Sequence, residues 1–133
     1  MSMGLFNKLN ARVLAAIDKR SGTAAVRRVR LSGGRIEVDL SDGSRQAWRL
    51  ADLARVVAIR RDLYAGDEVS LLLDLLGPGV VEVPASSDGW FDLCIQLEQL
   101  DGAVPFAQWH AKALLAALGE PMTVWARAET CSQ

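Results

Sequence analysis

Val26-Arg27-Arg28-Val29-Arg30-Leu31-Ser32-Gly33-Gly34-Arg35-Ile36-Glu37-Val38-Asp39-Leu40 is the stretch that decides the fold. Apolar and polar residues alternate on both sides of Gly33-Gly34, the period of two that marks strands with one buried face. Gly-Gly between two such runs specifies a two-residue hairpin, because both central residues of that turn need positive φ. The hairpin sets a register in which Leu31 faces Ile36, Arg30 faces Glu37, Val29 faces Val38 and Arg28 faces Asp39. Apolar meets apolar and arginine meets acid. A slip of one residue loses both agreements.

Beyond this hairpin, Ser41-Asp42-Gly43 predicts a three-residue turn that pairs Asp39 with Arg45 and Ile36 with Trp48, leaving Trp48 and Leu50 toward the core. A short bend over residues 51–53 leads to a strand at Val56–Ile59, a loop from Asp62 to Asp67, and strands at Val69–Leu75 and Val80–Val83 around Gly77-Pro78-Gly79. After Ser86-Ser87-Asp88 the period becomes helical, with Ser87 or Asp88 as cap and Trp90, Leu93, Cys94, Leu97 and Leu100 on one stripe. Pro105 opens a last helix with Phe106, Trp109, Ala113, Leu114, Ala117 and Leu118 inward, and Met122–Ala126 reads as a closing strand. Upstream, Leu5, Phe6, Leu9, Val13 and Ile17 predict an amphipathic helix over residues 3–20. Its apolar face is expected to pack on the sheet or on a second subunit rather than lie on a membrane.

The expectation is one α+β domain: a helix over residues 3–20, an antiparallel meander over 26–84, then helices and a closing strand over 88–126. The strands form a bent antiparallel sheet of about six or seven. Half of the 133 residues are apolar and 23% are charged, which excludes intrinsic disorder. No apolar run approaches the roughly 20 residues of a membrane span. The first residues lack the apolar core of a secretory signal. Two cysteines, Cys94 and Cys131, do not make a disulfide framework, so a cytoplasmic location is expected.

The net charge of −1 conceals a split. Residues 1–66 hold 13 Lys and Arg against 6 Asp and Glu; residues 67–133 hold 2 against 10. Such asymmetry can mark a charged binding face. Eleven of the first 13 basic residues are Arg, whose planar fork suits carboxylate and phosphate. The hairpin register gives Arg28, Arg30 and Arg45 acids to face. It leaves Arg27, Arg49, Arg55, Arg60 and Arg61 as the candidate free basic patch.

Other chemistry is sparse. His110, the one histidine, has no evident partner for acid–base work. Cys94 sits between Leu93 and Ile95 on the apolar stripe and reads as a core residue. Asp62, Asp67 and Glu68 match no calcium loop, zinc ligands are not clustered, and no phosphate-binding loop is present, so no cofactor or metal is expected. Trp90 and Phe91 are adjacent and cannot share one helix face, so one of them is a candidate exposed anchor.

Trp48, Arg60-Arg61-Asp62-Leu63, Asp67, Val81-Glu82-Val83 and Gly89-Trp90 resemble a pattern in small uncharacterised bacterial proteins. The resemblance covers mainly residues 48–91, and it departs at Pro84-Ala85-Ser86-Ser87, where those proteins tend to carry acids. The order of a sheet followed by a helix also resembles pleckstrin-homology-like barrels. That likeness implies a partly open barrel plugged by a C-terminal helix, and no activity.

These readings favour a non-catalytic module binding a protein partner, or a second copy of itself, through Arg27, Arg49, Arg55, Arg60 and Arg61 together with Trp90 and Phe91. An immunity- or inhibitor-like protein is one form of it. The alternatives are nucleic-acid or anion binding through the Arg-rich sheet edge, and an enzyme using His110 or the Asp62/Asp67 loop. The absence of aromatics among the arginines of residues 26–47 weighs against single-strand binding.

Overall fold

A computed structural model describes residues 25–63, 66–77 and 79–127. The expected helix over residues 3–20 and Cys131 lie outside the described residues. The fold is mixed α+β, with the strands divided between two antiparallel sheets. The smaller contains β1 (Val26–Ser32), β2 (Arg35–Leu40) and β3 (Arg45–Arg49) in that order. A 3-10 turn at Leu50–Asp52 leads into β4 (Leu53–Leu63), β5 (Gly66–Leu75) and β6 (Gly79–Pro84). Helices α1 (Trp90–Leu97) and α2 (Phe106–Leu115) follow, then β7 (Met122–Ala126). The larger sheet has the order β6-β5-β4-β7.

The hairpin register is the one the alternation dictates: Arg28↔Asp39, Val29↔Val38, Arg30↔Glu37 and Leu31↔Ile36. Gly33 and Gly34 both have positive φ, as that turn requires. The next pair follows the same logic, with Asp39↔Arg45 and Ile36↔Trp48. The Asp42 carboxylate accepts from the Ser44 amide at 2.8 Å and from its hydroxyl at 2.6 Å, fixing the turn.

Three expectations are corrected. The single bent sheet gives way to two sheets, of three and four strands, with no closed barrel among the described residues. The chain changes sheet at the 3-10 turn, where Arg127 donates to the carbonyls of Leu53 and Ala51, both at 3.0 Å. The Asp62–Asp67 loop is also shorter than expected: β4 and β5 continue to Leu63 and Gly66, so Asp62 stands opposite Asp67 within the ladder. Finally, α2 ends at Leu115 and Ala116 is extended. Trp109 and Ala113 are buried and Phe106 half-buried, as the stripe predicts. Leu114 lies one residue round from Ala113, and Ala117 and Leu118 fall beyond the helix; all three are exposed.

One apolar core joins both sheets and both helices. Val29, Ile36 and Val38 come from the small sheet, Leu71, Leu73 and Leu75 from β5, and Trp90, Leu93, Leu97 and Trp109 from the helices. The two layers are stitched through residues 87–89. The Asp88 carbonyl accepts from the Val29 amide at 2.8 Å, its amide donates to Arg27 O at 2.9 Å, and the Ser87 hydroxyl donates to Val26 O at 3.0 Å. Neither Ser87 nor Asp88 caps α1 through its side chain; Gly89, with φ of 84°, occupies the cap position. Val57, Ile59 and Leu72 form a second buried cluster on the other face of the large sheet. No described helix is long and apolar enough to cross a membrane.

Candidate anion-binding face

Each strand of the small sheet turns its apolar side chains to the core and its charged ones outward. The registers assemble the outward residues into three cross-strand rows: Arg28, Asp39 and Arg45; then Arg30, Glu37 and Ala47; then Ser32, Arg35 and Arg49. This face carries five arginines against two carboxylates.

The charge is unevenly distributed along it. In the first row Asp39 accepts from Arg45 Nε at 2.8 Å, while Arg28 turns to Asp88 at 3.7 Å. Arg28 and Asp39 are therefore neighbours in register, as expected, but the acid's ion pair is with Arg45. In the second row Glu37 binds Arg30 at 2.7 Å. That hydrogen bond above all, with the charges of Arg30, Arg35 and Arg45 adding to it, holds the Glu37 carboxyl below its ordinary range. The third row contains no acid. Arg35 has no ion pair among the described residues, and Arg49 has only Asp52 at 3.7 Å, beyond hydrogen-bond reach.

Beside this third row is an open cavity of about 400 Å³ lined by Gly33, Gly34, Arg35, Ala47, Trp48, Arg49 and Ala51. Ala47 stands between Arg45 and Arg49 along the outward side of β3, where a longer side chain would project into this space. The glycines of the turn carry no Cβ, and a Cβ built at either meets nothing within 4 Å.

The other expected arginines have different surroundings. Arg27 is exposed at the β1 irregularity. Arg55 is buried and faces buried Asp74 across β4 and β5. Arg60 binds Asp67 at 2.7 Å. Arg61 reaches past β5 to Glu82 on β6 in a two-point contact of 2.7 and 3.0 Å. The expected free patch of five is thus corrected: Arg55, Arg60 and Arg61 serve the large sheet, while Arg27 and Arg49 are exposed. Arg35 was missed, although the register placing Ile36 opposite Trp48 also places Arg35 opposite Arg49.

In comparisons with family models, curated proteins and solved structures, nothing matches this chain.

Of the aromatic pair, Trp90 is buried in the core and only Phe91 is exposed, at 56%. Phe91 meets Phe106 edge to face at 5.2 Å, and His110 stacks on Phe106 at 4.7 Å. No hydrogen bond to a carboxylate orients His110 among the described residues, and it does not line the cavity beside Arg35. Burial pushes the Cys94 thiol up to about 12, which leaves it protonated and unreactive near neutrality. No group of three or more metal-ligating side chains occurs among the described residues.

Proposed function

We propose that this protein is a non-catalytic binding module that holds an acidic segment of a protein partner on the outer face of its small sheet. The observation that carries this reading is the imbalance among the outward residues of that sheet, five arginines against two carboxylates. Each guanidinium presents a planar fork that matches a carboxylate, and the strands set the spacing of the rows. The rows contain no aromatic side chain, and Trp48 at the cavity is half-buried against the core, which favours a protein over a single-stranded nucleic acid. Phe91, exposed beside Phe106, supplies a separate apolar anchor for the same partner.

The test is fluorescence anisotropy with a labelled Glu-rich peptide, run beside an oligothymidylate of equal length. Saturable peptide binding is expected, weakening between 50 and 200 mM salt by roughly tenfold, and weakening at least threefold in Arg28→Ala/Arg45→Ala. Absence of peptide binding, or tighter binding of the oligonucleotide, would overturn the reading.

A further inference from the structure

The acid-free third row raises a question the fold does not answer. Like charges directly opposite on neighbouring strands destabilise the pair. The Arg35–Arg49 register is imposed by Ile36 and Trp48 on the inner side, but that packing does not require arginine at either outward position. Both arginines line the same cavity, and the acids of the other two rows are engaged by their own arginines.

We infer that this row is a phosphoryl-binding site, and that its ligand is a phosphorylated side chain of the protein partner. Charge and shape select this class over a carboxylate. A carboxylate brings one negative charge and two oxygens, which a single arginine fork satisfies. A phosphate monoester brings about −1.5 to −2 near neutrality and three terminal oxygens, enough to engage both forks. The open cavity of about 400 Å³ leaves room for the group that carries the phosphate. Ala47, one of its lining residues, is small, and Gly33-Gly34 lets a ligand approach the turn without meeting a side chain. In the two engaged rows Arg30 and Arg45 each spend one N–H on an acid, which leaves further donors for carboxylates of the segment, and the third row reads the phosphate within it. For its macromolecular source the inference rests on the proposed function; for the site itself it does not.

The experiment compares the Glu-rich peptide with the same peptide carrying one phosphoserine, and titrates phenyl phosphate and benzoate separately while following backbone amides by NMR. The phosphopeptide is expected to bind about tenfold tighter than its parent. Arg35→Gln/Arg49→Gln should abolish that gain while weakening the parent peptide less than threefold. Ala47→Leu, which enlarges a lining side chain without changing charge, should abolish it as well. Phenyl phosphate should shift the amides of Gly33, Gly34, Arg35, Ala47, Arg49 and Ala51, and bind at least fivefold more tightly at pH 7.5 than at pH 5, because its second proton leaves near pH 6. Benzoate binding as tightly as phenyl phosphate would overturn the phosphoryl assignment. A phosphoserine gain that survives Arg35→Gln/Arg49→Gln would overturn the site. Phenyl phosphate bound at this row without peptide binding would sustain the site and remove the protein partner as its source.

Discussion

Gly89 is the residue on which the junction of the sheets with α1 depends. Its φ is 84°, and a Cβ built there would meet the carbonyl oxygen of Val29. The preceding residue, Asp88, is hydrogen-bonded to β1 through both its amide and its carbonyl, so the backbone cannot shift without breaking that bridge. Only glycine combines this conformation with this approach. Gly89→Ala is therefore expected to lower stability by about 3 kcal/mol, the left-handed strain and the forced separation acting together. A thermal melt should show Tm falling by roughly 10 °C for a chain of this size. A Tm within about 3 °C of the parent would show that the junction tolerates a side chain. Neighbouring Ser87 makes one hydrogen bond to β1, so its replacement by Ala is the milder perturbation.

At the scale of elements, the large sheet is braced by pairs that span strands rather than by neighbours in sequence. Arg61 on β4 reaches Glu82 on β6 across the intervening β5, with the arginine side chain only 10% exposed and the glutamate 34%. A two-point, mostly buried contact gains more than a surface pair, which is worth little. A double-mutant cycle of Arg61→Met and Glu82→Gln, read by urea unfolding, is expected to give a coupling of about 1–2 kcal/mol. A coupling near zero would mean that water replaces the contact. This bracing also explains what could be read in advance. The hairpin was legible to the residue, because a two-residue turn, the apolar alternation and the charge pattern all constrained one register locally. The pairing of Arg61 was not, since its partner lies 21 residues away and two strands over, beyond the reach of any turn or cross-strand register. Arg55 was hidden for a related reason: on a strand covered on both faces, alternation no longer separates inside from outside. Arg35 was the opposite case. Its place opposite Arg49 follows from the same register that sets Ile36 opposite Trp48, and that register gives it no acid to face. The end of α2 failed through helical phase, which has no meaning past Leu115.

At the scale of the molecule, the opposed charge of the two chain halves resolves into contacts. Arg28–Asp88, Arg60–Asp67 and Arg61–Glu82 each join a basic residue before position 67 to an acid after it. Among the described residues, the end of the small sheet carrying Arg35 and Arg49 has no hydrogen-bonded acid. That sheet has three strands and buries its inner face against side chains of the large sheet and the helices, in one core. Separating that sheet would expose Val29, Ile36 and Val38 to water, so its stability is tied to what it packs on. Unfolding of the described body should accordingly be one cooperative event. Ile36→Ala in the small sheet and Leu73→Ala in the large are each expected to cost about 3 kcal/mol, as fully buried aliphatic truncations do. In each variant, the transitions followed by far-UV circular dichroism and by tryptophan fluorescence should coincide, with the urea dependence unchanged. If Ile36→Ala instead produced an early transition seen by one probe alone, the small sheet would be a separately unfolding unit. The distinction bears directly on binding. In a cooperative body, an anion held by Arg35 and Arg49 stabilises the whole chain, so phenyl phosphate at ten times its Kd should raise global stability by about 1.4 kcal/mol. In a divided one, that gain would appear only in the small sheet's own transition.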